Sequence, residues 1–123
     1  MSTLNITTRR SGPVVILDLE GQIRLGETNI NLHKAIHDLV DSGEKNVLLN
    51  LAKVTNIDSS GLGELVAGYT TLEKNGGEMK LLHLTERVAE LMMITKLLTV
   101  FDVFEKEDVA IASFGTGEAS AGA

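Results

Sequence analysis

The residues best equipped for chemistry lie in one run, Asp58-Ser59-Ser60-Gly61-Leu62-Gly63. It combines a carboxylate, two hydroxyls and two glycines between a run that reads as a strand, Asn46–Leu51, and one that reads as an amphipathic helix from Leu62 to about Lys74. A strand end that meets a helix start in an α/β domain is where polar groups face solvent on a rigid base. One of the serines is expected to cap the helix, its hydroxyl accepting from a first-turn N–H. Capping leaves the other hydroxyl unexplained, and the glycines too. Glycine within a helix costs about 1 kcal/mol relative to alanine, so two within three residues imply that something approaches the backbone closely. Small residues also leave a bare, flat surface from which a partner's active site can reach a serine. A phosphate added there would lie near the positive end of the helix dipole. Asp58 would repel it, or would orient the hydroxyl for transfer.

Other candidate chemistry is weaker. A nucleophilic serine needs a nearby base, and the histidines are His33, His37 and His83. The run does not match the Gly-x-Ser-x-Gly elbow. Hydrolysis is therefore not expected, and no catalytic residue is assigned. His33 and His37 are four apart on a helix, a spacing that can hold a metal. They lie off the apolar stripe, flanked by Lys34 and Asp38, and read as a solvated face; no metal or cofactor is called for. His83 reads as a structural residue in a strand. Gly76-Gly77 lacks the lysine and following helix of a phosphate-binding loop and reads as a helix C-cap plus turn. Met92 and Met93 read as core filling or a small interaction patch.

The elements that must position the run follow from periodicity. Leu4–Thr8 alternates, and Val14–Leu19 is a β-branched apolar run after the turn signal Ser11-Gly12-Pro13; together they predict a hairpin whose second strand is the more central. Gln22–Glu27 reads as a loop. Leu32, Ala35, Ile36, Leu39 and Val40 form one helical stripe stopped by Ser42-Gly43. Strand, helix, strand implies a parallel crossover. A second stripe carries Leu62, Leu65, Val66, Tyr69 and Leu72. Glu78–Leu84 predicts a strand, Thr85 a cap for a third helix, Thr99–Phe104 a short edge strand, and Glu105–Phe114 a final helix with an acidic first turn. The reading is one domain over residues 1–114 with a disordered tail over 115–123.

Bulk composition narrows the partners. The 123 residues are 43% hydrophobic and carry a net charge of −6 without a basic stripe, which argues against a nucleic-acid partner. Aromatic content of 3% argues against a stacking platform. There is no cysteine, hence no disulfide framework or thiol chemistry. No signal peptide is read at the N-terminus and no apolar run approaches the roughly 20 residues that cross a bilayer; a cytoplasmic location is expected, without membrane insertion.

Val47-Leu48-Leu49-Asn50-Leu51, Val54, Ile57-Asp58-Ser59-Ser60-Gly61-Leu62-Gly63 and Gly76-Gly77-Glu78-Met79-Lys80-Leu81 together resemble the STAS domain family, and within it the bacterial anti-sigma factor antagonists. The resemblance extends over about residues 4–114. It implies an α/β fold, a mixed sheet of four to five strands with about four helices mainly on one face. It implies a protein that is not an enzyme. Such a protein binds an anti-sigma factor serine kinase, releases a sigma factor, is switched off by phosphorylation at Ser59 and is restored by a phosphatase. Ser59 is then the acceptor and Ser60 the better candidate for the cap. Asp58, Ser59, Ser60, Gly61, Leu62 and Gly63, with Gly21 and Arg24 from the loop after the second strand, are expected to face the partner. Relatives often carry an acid where this chain has Arg24, and an arginine there can pair with Asp58 or with a phosphate on Ser59. The alternatives are a scaffold subunit of a stress-sensing complex and an accessory subunit of a lipid transporter.

Overall fold

The computed structural model describes residues 4–23 and 27–114, with no side-chain description for 27–31. Ten elements follow in order: β1 (Leu4–Ser11), β2 (Val14–Ile23), α1 (Glu27–Asp41), β3 (Asn46–Ile57), α2 (Ser59–Lys74), β4 (Glu78–Leu82), α3 (Glu86–Ile94), a 3₁₀ turn (Leu97–Thr99), β5 (Val103–Phe104) and α4 (Glu107–Ser113). They build one five-stranded sheet in the order β1-β2-β3-β4-β5. β1 runs antiparallel to β2, and the remaining pairs are parallel.

The hairpin is closed by two residues, since Ser11 pairs with Val14. Gly12 takes φ +58 and Pro13 follows it, the positive-then-negative φ order that suits a tight hairpin turn. Each later strand is reached through a helix, as parallel pairing requires. α1 stops in a Schellman motif: Gly43, at φ +85, donates its N–H to Val40 O at 3.0 Å, and Glu44 N donates to Leu39 O at 2.9 Å.

Alternation along the central strands splits the core in two. Val15, Leu17 and Leu19 of β2 join Val47, Leu49 and Leu51 of β3 beneath α1, α2 and α3, which contribute Leu32 and Ile36, Leu62, Leu65 and Leu72, and Val88 and Met92. Val14, Ile16 and Leu48 face the other way and meet Ala110 and Phe114 of α4. Coverage on both faces explains why β2 and β3 read as continuous apolar runs rather than alternating ones. Three helices thus lie on one face and α4 on the other, consistent with the expected architecture.

Several boundaries differ from expectation. β2 continues through Gln22 and Ile23, which had read as loop, and β3 runs on to Ile57. The two strands stay paired through register shifts, with Gly21 opposite Val54 and Ile23 opposite Ile57. The expected edge strand over Thr99–Phe104 shrinks to two residues, because the 3₁₀ turn takes its start. Thr85 occupies the N-cap of α3 without capping it by its side chain; its hydroxyl donates instead to Val54 O at 3.0 Å, tying α3 to β3. The expected tail over 115–123 lies outside the described residues. Among those described, no helix is long and apolar enough to cross a membrane.

Candidate functional site

β2 and β3 end side by side and hand over to α2. Gln22 pairs with Asn56 and Ile23 with Ile57; one residue later Asp58 opens the helix. Asp58 has extended backbone angles (φ −106°, ψ 179°), and its Oδ1 accepts from Gly61 N at 2.8 Å. The N-cap is therefore the aspartate, and neither serine fulfils the capping expected of Ser60. The reason is positional: a capping side chain must sit at the half-in residue, whereas Ser59 and Ser60 already have helical geometry as the first two residues of α2. Both are exposed. Among the described residues neither hydroxyl makes a hydrogen bond, so both point their chemistry outward from a fixed backbone.

The two glycines of the run serve different ends. A Cβ on Gly61 would lie 2.1 Å from Ile23 O and 2.7 Å from Ile23 Cγ2. The close approach read from the sequence is thus the protein's own: the end of β2 presses on the first turn of α2, and Ile23 O also accepts from Asp58 N at 3.2 Å. A Cβ on Gly63 would meet nothing within 4 Å. Gly61 is buried, and Leu62, at 3% exposure, belongs to the core. Both had been expected on the partner-facing surface; their place in the packing removes them from it. Asp58, Ser59, Ser60 and Gly63 remain on the accessible side of the turn. Gly21 lies opposite Val54, two residues before the strand end at Ile23. It holds φ +124, and its carbonyl accepts from Thr55 Oγ1 at 3.2 Å. Arg24 lies outside the described residues.

The first turn rests on a buried stripe. Leu62, Leu65 and Leu72 are buried along α2 and Tyr69 stacks edge-on against Phe101 at 5.3 Å between ring centroids. Truncating a leucine such as Leu65 to alanine removes about 2–5 kcal/mol, enough to loosen the platform that carries the serines.

A model of the STAS domain family matches residues 5–110. The chain belongs to the STAS domain family. Among relatives, the anti-sigma-B factor antagonist of Bacillus subtilis is 27% identical over 105 residues, covering 85% of this chain and 94% of that protein. The crystal structure of an anti-sigma factor antagonist from Mycobacterium paratuberculosis superposes with a TM-score of 0.78 at 19% identity, covering 91% of this chain and 94% of that one. The Bacillus cell fate determinant SpoIIAA in its phosphorylated form superposes with a TM-score of 0.70 at 18% identity, covering 88% and 97%. The first of these relatives is described as an anti-sigma-B factor antagonist, and the two solved structures share the fold over about nine-tenths of this chain.

The STAS sheet also carries polar features that sequence reading missed, both on the α4 face. Arg9 of β1 reaches Asp18 of β2 with Nε–Oδ2 at 2.5 Å and Glu107 of α4 with a terminal nitrogen at 2.8 Å from Oε1. Asn50 Nδ2 donates to Asp18 at 2.8 Å. Arg9 hydrogen bonds hold both carboxyls below the usual carboxylate range, against the opposing effect of burial. Lys80 of β4, only 8% exposed, donates to Ser113 O at 3.0 Å between the rings of Phe104 and Phe114. A cation at a helix C-terminus satisfies carbonyls that the helix leaves unpaired, so Lys80 pins the end of α4. Arg9 and Glu107 are 98 positions apart, and no local signal announces such a pair. His83 sits just past β4 with φ +56, its N–H donating to Phe104 O at 2.8 Å, in keeping with its structural reading.

Proposed function

We propose that this STAS protein is an anti-sigma factor antagonist whose switch is Ser59. The carrying observation is the exposed Ser59 hydroxyl at the first position of α2, on a backbone fixed by the Asp58 cap and by Ile23. Its relatives, an anti-sigma-B factor antagonist and a determinant solved in a phosphorylated form, support the same reading. The partner is an anti-sigma factor that is itself a serine kinase. In the unmodified state the small surface formed by Ser59, Ser60 and Gly63 docks against it and frees a sigma factor. The kinase transfers the γ-phosphoryl of ATP to the Ser59 oxygen; the serine proton leaves and ADP departs. Asp58 is the adjacent carboxylate, but its Oδ1 is engaged by Gly61 N, so it serves geometry first.

Phosphorylation adds about −1.5 to −2 charge at neutral pH. The helix dipole tolerates that charge in the free protein. In the docked state it would be enclosed beside the Asp58 carboxylate, where like charges and lost solvation both oppose binding. Each 1.4 kcal/mol lost corresponds to about tenfold in affinity. A phosphatase reverses the switch. Incubation with the cognate kinase and ATP, followed by peptide mass spectrometry, tests the acceptor. One phosphate at Ser59, absent from Ser59→Ala and retained in Ser60→Ala, is the expected result. Full phosphorylation of Ser59→Ala contradicts it.

A further inference from the structure

The groove between α1 and α2 carries two histidines that the proposed switch does not use. His33 and His37 are one helical turn apart on α1, their ring centroids 4.3 Å from each other with 37° between planes. Both are exposed. Across the groove, Glu64 Oε1 lies 3.1 Å from His33 Nδ1. The carboxylate can only accept, so this contact selects the Nδ1–H form of His33 and leaves the Nε2 lone pair directed away from α2. Ile36, Ala67, Gly68 and Thr71 complete the groove wall behind the rings.

We propose that His33 and His37 form a two-histidine site for a divalent transition-metal ion of the Cu²⁺, Ni²⁺ or Zn²⁺ type, with Glu64 as a positioning residue rather than a ligand. The spacing fits. Metal–imidazole bonds are about 2.0–2.1 Å, so two nitrogens on one ion stand roughly 3 Å apart, and side-chain rotation of two exposed rings whose centroids are 4.3 Å apart can bring their nitrogens to one ion. A carboxylate holding the far nitrogen of a ligating histidine is the recurrent outer-shell arrangement of such sites. Among the described residues no group of three or more ligating side chains is assembled, so water completes the coordination. Asp38 is paired with Lys34 at 3.3 Å. Imidazole donors do not suit Ca²⁺ or Mg²⁺, which take oxygen. Copper should bind more tightly than nickel or zinc. Ion binding bridges one turn of α1, and the His33–Glu64 contact passes that rigidity to α2 one turn after Ser60. The inference stands on α1 and Glu64 alone and does not depend on the kinase reading.

The test uses the full chain without a histidine tag, titrated with CuCl₂, NiCl₂ or ZnCl₂ by calorimetry and with ZnCl₂ by histidine-side-chain NMR. One ion per chain is expected, with the His33 and His37 ring signals moving and those of His83 unmoved. His33→Gln or His37→Gln should lower affinity by about tenfold or more, while His83→Gln leaves it as in the wild type. Glu64→Gln, which keeps an acceptor oxygen but loses the charge, should lower it about tenfold at unchanged stoichiometry and weaken the Nδ1–H signature of His33 in the ion-free protein. Zinc should raise the Tm of the wild type and not that of His37→Gln. A wild type that binds none of these ions at millimolar concentration overturns the proposal, as does a folded His33→Gln/His37→Gln double variant that binds like the wild type. Unchanged affinity in Glu64→Gln removes the positioning role.

Discussion

The two ends of α2 are built with the same device and do different things. At the N-terminal end Gly61 lies against Ile23 O, where an added Cβ would stand 2.1 Å away; at the C-terminal end Gly77 lies against Lys45 O, where it would stand 2.2 Å away. Each of those carbonyls also takes a backbone hydrogen bond, Ile23 O from Asp58 N at 3.2 Å and Lys45 O from Glu78 N at 2.7 Å. In both places a strand end is packed onto a helix end too closely for any side chain. The C-terminal end is then closed off. Gly76 holds φ +80, Gly77 N donates to Leu72 O at 2.7 Å in a Schellman motif, and Lys45 Nζ donates to Asn75 O. The N-terminal end is left open, with Ser59, Ser60 and Gly63 outside the contact. Glycine in this run therefore has two meanings. One glycine holds the platform and one clears its surface.

That contrast can be broken by substitution. Gly61→Ala and Gly77→Ala should each destabilise by about 3 kcal/mol or more, because the obstructing atoms are backbone and cannot step aside; urea unfolding measures this. Gly63→Ala should behave oppositely, gaining up to about 1 kcal/mol of stability from helix propensity while weakening the docked complex. If Gly61→Ala and Gly63→Ala prove equally tolerated, the division between them is wrong. Asp58→Ala should cost about 1 kcal/mol through the lost cap, with Asp58→Asn retaining most of it, by the same unfolding measurement.

The smallest effect concerns the opposite face. The carboxyls of Asp18 and Glu107 are depressed in the folded protein by Arg9. Their contribution is therefore present above the unfolded carboxylate values, about 4, and is lost as pH falls through the lower folded values. Arg9 is 41% exposed on its side chain, so solvent screening limits the gain to at most about 1 kcal/mol. Arg9→Met should lower stability at pH 7 and lose that difference near pH 2. A difference that persists at pH 2 would assign the loss to packing rather than to charge.

Where a residue's role depends on its neighbours along the chain, the sequence was informative. The stripes of α1 and α2, the Ser42-Gly43 and Gly76-Gly77 stops and the hairpin turn all depend on residues within a few positions, and all are found in the fold. Where the role depends on distant packing, reading failed. Nothing near Gly61 says that Ile23 O occupies its side-chain space, so its glycine looked like surface. Lys80 alternates with apolar residues as an outward-facing strand residue would, and only α4 and β5 arriving over it make it buried. Asp58 was legible as an acid beside a serine; its role as the cap required knowing that the helix begins at Ser59, three residues before the apolar stripe starts at Leu62.

In the proposed switch, charge at Ser59 acts on docking and not on folding. Calorimetric titration of the proposed partner, an anti-sigma factor kinase, with wild type and with Ser59→Asp, paired with their melting curves, separates the two. Ser59→Asp is expected to bind about a hundredfold or more weaker, equivalent to about 2.7 kcal/mol, at a Tm close to that of the wild type. Equal affinity at equal Tm would contradict it, as would a fall in affinity that merely tracks a fall in stability.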